Sequence, residues 1–100
     1  MENSRVAVFI VCYNAERHIE KVLDRVPDWV AGSLAEVFII DDSSKDSTLQ
    51  KAVEAKWKKA HVPLRVFKTP HNQGYGGNQR LGYLYALAQG FDIVVLLHGD

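Results

Sequence analysis

Four uninterrupted apolar residues, Val37-Phe38-Ile39-Ile40, run directly into two adjacent carboxylates and a polar turn, Asp41-Asp42-Ser43-Ser44-Lys45-Asp46-Ser47-Thr48. A short apolar run without alternation suits a strand covered on both faces, as in a parallel α/β sheet. The acids then stand at its carboxyl end, the edge of open α/β sheets where ligands bind, next to the point at which strand order reverses. A structural reading stands beside this one. Asp41 and Asp42 would only solubilise the strand end, while Ser44 or Asp46 caps the following helix.

The remaining chain repeats the alternation. Val6 to Val11 is an apolar, β-branched run and reads as a central first strand. After Cys12-Tyr13-Asn14, the residues Ile19, Val22, Leu23 and Val26 recur at helical spacing, with Asn14 as the expected cap and Pro27 as the stop. Trp29 and Val30 are expected to fold back onto the sheet. A second helix follows the acidic turn, with Leu49, Ala52, Val53 and either Lys56 or Trp57 inward. Leu64 to Lys68 is shorter and more polar and reads as an edge strand. A third helix over Gln79 to Gln89, stopped by Gly90, turns Leu81, Leu84, Tyr85 and Ala88 inward. Phe91 to Leu97 forms a fourth strand, and His98-Gly99-Asp100 ends the chain. This βαβαβαβ order predicts a Rossmann-like parallel sheet with right-handed crossovers and strand order 3-2-1-4. The ends of strands one, two and four would then border one crevice.

Composition narrows the partners. With 12 basic and 12 acidic side chains, the chain has no global basic field to recruit nucleic acid or an anionic membrane. No apolar run approaches the roughly 20 residues of a membrane span, and the first residues lack a signal-peptide pattern. The expected location is cytoplasmic, consistent with the single cysteine, Cys12, which reads as a packing residue. His18, His61 and His71 form no metal-like cluster and read as surface or capping residues.

Familiar nucleotide motifs are missing. The turn after the first strand, Cys12 to His18, contains no glycine, which disfavours a dinucleotide fingerprint, and there is no phosphate-binding P-loop pattern. A phosphoacceptor receiver would carry its acidic pair after the first strand. Gly74, Gly76 and Gly77 can bring backbone close to a ligand, but they also suit a tight turn.

Taken in order, Val8-Phe-Ile-Val-Cys-Tyr13-Asn14, Asp41-Asp42-Ser-Ser-Lys-Asp46-Ser-Thr48, Asn72-Gln-Gly74-Tyr-Gly76-Gly77-Asn78 and His98-Gly99-Asp100 resemble the family 2, GT-A-type glycosyltransferases. The Asn72-to-Gly82 segment is most similar to the branch of polyprenyl-phosphate sugar transferases, such as dolichol-phosphate mannose synthase. The resemblance implies that residues 1–100 are the nucleotide-sugar-binding part of a GT-A domain, truncated at its C-terminus. It implies a UDP- or GDP-linked sugar as donor and, in the complete enzyme, inverting transfer to an acceptor, with a polyprenyl phosphate as one candidate. Donor-binding residues would be Tyr13, Asn14, Asp41, Asp42, Gly74, Gly76 and Asn78, with Asp42 the preferred contact to the base. A carboxylate can accept from a base N–H, and a tyrosine ring can pack on the base.

The same resemblance implies Mg²⁺ or Mn²⁺ held by Asp100, with His98 as a second candidate ligand. Hard oxygen donors and substrate phosphates suit those ions. His98 stands where the family places the first acid of its metal motif, Tyr75 where related members often carry lysine, and Cys12 where proline is common. For His98 a structural role is favoured over ligation, because hard ions prefer oxygen. No residue takes the role of the general base, which is expected beyond Asp100, so the 100 residues alone are expected to be inactive. The competing class is a noncatalytic nucleotide-binding or interaction module.

Overall fold

The computed structural model describes residues 4–99, and the side chains of Asp28 and Trp29 lie outside the description. Its elements are β1 (Val6–Cys12), α1 (Ile19–Asp24), α2 (Asp28–Ala31), β2 (Glu36–Asp41), α3 (Thr48–Lys58), β3 (Leu64–Lys68), α4 (Gly74–Gln89) and β4 (Ile93–His98). All strand pairs are parallel, and the sheet order is β3-β2-β1-β4, as the alternation predicts. Chain direction across the sheet therefore reverses between β1 and β4.

The apolar runs dictate two cores. Successive side chains of a strand point to opposite faces. Val8, Ile10 and Cys12 of β1, with Val37 and Ile39 of β2, accordingly pack against Ile19, Val22 and Leu23 of α1 and Ala52 and Ala55 of α3. On the other face Ala7, Phe9, Val11, Phe38 and Ile40 meet Ala86 of α4, with Tyr85 and Phe91 against them. Phe9 and Phe38 stack there with ring centres 4.8 Å apart. β1 and β2 are thus covered on both faces. β4 is not: Ile93 and Val95 each remain 44% exposed.

Three helical expectations need correction. Asn14 does not cap α1, whose N-cap is His18. Asn14 instead adopts a left-handed φ of 48°, and its Oδ1 accepts the N–H of Lys45 at 2.9 Å. Its side chain is therefore committed to the neighbouring loop. α3 turns Thr48, Ala52 and Ala55 inward, leaving Val53 40% and Trp57 76% exposed. The rotation follows from Thr48, whose buried Oγ1 accepts the N–H of Ala15 at 2.7 Å and pins the first turn.

The third correction concerns α4. It begins at Gly74, not Gln79, and buries Asn78, Gly82 and Ala86, while Leu81, Leu84 and Ala88 face outward. Tyr85 alone of the expected inner set is half-buried. Small residues spaced by four let the helix lie close on the sheet. A Cβ placed on Gly82 would fall 2.0 Å from the Phe9 ring, so only glycine permits this approach. Gly90 stops the helix as expected, at a left-handed φ of 74°. The proposed packing of Trp29 concerns a side chain outside those described.

Candidate functional site

The β-ladder extends past the strands and shapes the carboxyl edge of the sheet. Asp42 donates its N–H to the Cys12 carbonyl at 2.9 Å, Thr69 donates to Asp41 at 2.9 Å, and Gly99 donates to Val11 at 2.8 Å. Each loop thus leaves its strand in register with its neighbour. A Cβ on Gly99 would come within 2.5 Å of the Cys12 sulfur, so the turn after β4 passes close over β1.

Asp41 and Asp42 point to different tasks. Asp41 is fully buried, and its carboxylate is taken up locally by the backbone N–H and hydroxyl of Ser44. Ser44 in turn accepts the N–H of Asn14 at 2.8 Å. This chain of bonds, together with a left-handed Ser43, locks the β1 and β2 loops to one another. Asp46 reinforces the lock by accepting from the Glu16 N–H of the β1 loop at 3.4 Å as well as from the Thr48 N–H at 3.0 Å. Desolvation pushes the Asp46 carboxyl up, but hydrogen bonds from the Thr48 side chain and from the Thr48 and Glu16 backbones together outweigh it and hold the group below the ordinary 3.8.

Asp42 turns toward a cavity. It is only 2% exposed; its Oδ1 accepts the Thr69 hydroxyl at 2.9 Å and the Gln73 N–H at 2.8 Å. Asn72 Nδ2 donates to its carbonyl at 3.1 Å. The end of β2 is thereby tied to the loop after β3 and to the start of α4. A negative charge at that position also complements the positive end of the helix dipole.

The cavity encloses about 350 Å³ at the switch point between β1 and β4. Val11, Cys12, Asp42, Asn72 and Asn78 line it. Tyr13 stands at the end of β1, while Tyr75 of α4 and His98 of β4 stand on the wall at the β4 side. Those two rings lie nearly parallel, 5.3 Å apart, with the Tyr75 hydroxyl 3.2 Å from His98 Nε2. Asn78 is 1% exposed and donates Nδ2 to the Ile40 carbonyl at 3.0 Å. Among the described residues its Oδ1 is the buried side-chain atom left without a hydrogen-bond partner. A buried acceptor without a donor is costly, and a ligand or water donor would satisfy it.

The structure therefore brings Tyr13, Asp42, Gly74, Asn78 and His98 together around one cavity. Asn14 and Asp41 sit in the scaffold behind it, and Gly76 lies on the exposed first turn of α4, outside the lining. Asp100 lies outside the described residues. Asn72 and Tyr75 also line the cavity; they lie inside the glycine-rich segment expected at the site, whose individually named members are Gly74, Gly76 and Asn78. Among the described residues, no three His, Cys, Asp or Glu side chains gather as a metal cage. Among the described residues, none that lines the cavity is a lysine or arginine.

A parallel 3-2-1-4 sheet with an acid-ended second strand and a cavity at the switch point defines an open α/β domain of Rossmann-like topology. Residues 7–100 match the sequence profile of Glycosyl transferase family 2, and the chain belongs to that family. It is 27% identical over 96 residues to a dolichol-phosphate mannosyltransferase of Pyrococcus furiosus, covering 96% of this chain and 26% of that protein. Against a dolichyl-phosphate beta-glucosyltransferase of Drosophila melanogaster it is 28% identical, covering 81% of this chain and 27% of that protein. Among solved structures, S. aureus TarS residues 1–349 in complex with UDP-GlcNAc superposes with a TM-score of 0.70 at 26% identity, over 96% of this chain and 26% of that TarS segment. The mannosyltransferase PcManGT of Pyrobaculum calidifontis, in complex with GDP-Man and Mn²⁺, shares the fold with a TM-score of 0.73 at 24% identity, over 82% of this chain and 24% of its own. The chain spans about a quarter of the length of these relatives.

Proposed function

We propose that this chain is the donor-binding part of a GT-A glycosyltransferase, taking a UDP- or GDP-linked sugar whose glycosyl group passes, in the complete protein, to an acceptor with inversion. The observation that carries the reading is Asp42: a carboxylate 2% exposed, facing a cavity at the carboxyl ends of parallel strands. A buried carboxylate beside an open cavity is an acceptor for a base N–H, and the Tyr13 ring offers a face for the same base. The UDP-GlcNAc held by TarS supports a nucleotide sugar as ligand. The two dolichol-linked relatives support a polyprenyl phosphate as acceptor.

A divalent cation, Mg²⁺ or Mn²⁺, belongs to the same proposal, supported by the Mn²⁺ in the Pyrobaculum fold relative. With no lysine or arginine among the described lining residues, a diphosphate there needs positive charge from elsewhere. Asp100 and the diphosphate oxygens would hold the ion, which when bound offsets charge developing on the departing nucleotide. His98 contributes at most one nitrogen, and its Nε2 already faces the Tyr75 hydroxyl.

The general base and acceptor site are assigned to residues outside this chain, so residues 1–100 should bind donor without transferring sugar. Among the described residues no helix is long and apolar enough to cross a membrane. We place the donor site in the cytoplasm, with any membrane association supplied from outside these residues. Titration with UDP-GlcNAc and GDP-mannose, with and without Mn²⁺ and observed residue by residue, tests the reading. Joint perturbation of Tyr13, Asp42 and the segment 72–78 is expected. Ligand saturation that moves only a distant surface would refute it.

A further inference from the structure

We infer that Tyr75 is a ligand-contacting wall of the cavity and that His98 is the residue that positions it, rather than a free metal ligand. The inference rests on the nucleotide-site reading and adds two residues with distinct tasks. Tyr75 sits in the first turn of α4 with half its surface exposed and its ring lining the cavity. An exposed tyrosine normally samples several rotamers, and fixing one costs side-chain entropy. Here the ring is held in two ways: a parallel stack on the His98 imidazole and a hydroxyl 3.2 Å from Nε2. The contact joins the start of α4 to the end of β4 across the switch point. Tyr75 is thereby presented to the cavity in a single orientation before any ligand arrives, which lowers the ordering cost of binding.

The tenant this wall suits has a flat, uncharged face. Rings supply contact area and π-stacking, and the described lining residues include no lysine or arginine to attract an anion directly. The nucleobase or the adjoining ribose, not the diphosphate, is therefore what Tyr75 touches. His98 is fitted to its positioning task because the nitrogen nearest the Tyr75 hydroxyl is Nε2, the outer atom a metal would otherwise use.

Binding of UDP and of GDP to the full 100-residue chain in EDTA, followed by aromatic and backbone NMR, tests both assignments. Tyr75→Ala should weaken the preferred nucleotide about five- to a hundredfold, the range for loss of one base–aromatic stack. Tyr75→Phe should retain most of the affinity. His98→Ala should weaken binding in the parent chain but add nothing in a Tyr75→Ala background. His98→Gln, whose amide can still pair with the hydroxyl, should rescue most of that loss. With EDTA present, a residue that only held a cation would show no effect. Unchanged affinity in Tyr75→Ala, with Tyr13 and Asp42 signals still shifting on titration, overturns the wall while leaving the nucleotide site intact. Additive losses for His98→Ala and Tyr75→Ala overturn the positioning role. If neither nucleotide moves Tyr13 or Asp42 at millimolar concentration, in EDTA or with Mn²⁺ restored, the nucleotide reading itself fails, and this inference fails with it.

Discussion

Gln73 donates its backbone N–H to Oδ1 of Asp42 at 2.8 Å, so the carboxylate that follows β2 also satisfies the entrance to α4. Site and scaffold meet in this one side chain. The first N–H groups of a helix have no intrahelical partner, and no side-chain bond from the N-cap residue itself supplies one here. Asp42→Ala should therefore do two things at once: destabilise the fold by about 1–3 kcal/mol, because Gln73 N–H and Thr69 lose a buried acceptor, and weaken nucleotide binding by a similar amount. Asp42→Asn separates them. Its amide oxygen can still accept from Gln73 while the charge is lost, so urea unfolding should recover most of the stability and calorimetry should still show weakened nucleotide binding.

Asp41 predicts the opposite pattern. Its carboxylate is spent on the Ser44 N–H and hydroxyl and does not reach the cavity. Asp41→Ala should lower the unfolding free energy by about 1–3 kcal/mol through the unsatisfied Ser44 groups. The folded fraction should then bind nucleotide with nearly parental affinity. Denaturation and binding measured on one preparation check this, and a large loss of affinity in fully folded protein would place Asp41 in the site after all.

Gly82 and Gly76 share a helix but not an environment. A Cβ on Gly82 would sit 2.0 Å from a Phe9 ring carbon, whereas one on Gly76 meets nothing within 4 Å. Gly82→Ala should overpack the core and cost about 1–3 kcal/mol despite the better helix propensity of alanine. Gly76→Ala has only the propensity gain and should stabilise by up to about 1 kcal/mol. Guanidinium midpoints of the two variants should move in opposite directions. Adding Phe9→Leu should recover part of the Gly82→Ala loss.

These same glycines explain what could and could not be read from the sequence. Strand identity, the parallel order and the carboxyl-edge position of Asp42 follow from apolar runs and βα alternation, and the structure has them. The start and inner face of α4 do not follow. A segment with Gly74, Gly76 and Gly77 has poor intrinsic helicity, so propensity favours a loop; the Asp42 cap, made by a residue 31 positions away, overrides it. Likewise, leucines attract an inward assignment, yet the closest packing against Phe9 belongs to Gly82, which leaves Leu81 39% and Leu84 52% exposed. The division of labour between Asp41 and Asp42 is equally invisible in two adjacent identical residues. It arises because a strand sends neighbouring side chains to opposite faces.

The far end of the sheet offers a pH-dependent test that does not involve the site. Tyr85 donates its hydroxyl to Glu36 Oε2, and Glu36 also pairs with Arg65 at 3.1 Å. Burial, then the hydrogen bond and negative charge of Glu36, push the phenol up to about 12 from 10.0, with Arg65 opposing. A raised value means that the folded state keeps its proton where the unfolded chain has released it. The stabilisation is complete below pH 10 and disappears as pH rises from about 10 through about 12. Two units correspond to at most about 2.7 kcal/mol, and solvent screening around the partly exposed Arg65 and Tyr85 reduces this to about 1 kcal/mol. Tyr85→Phe should therefore lower stability at pH 8 and make the difference from the parent shrink between pH 10 and 12, as measured by urea unfolding at each pH. Contributions common to both proteins cancel in the comparison. A parent-minus-variant difference that stays constant across that interval would show that the Glu36 hydrogen bond does not bias the Tyr85 proton.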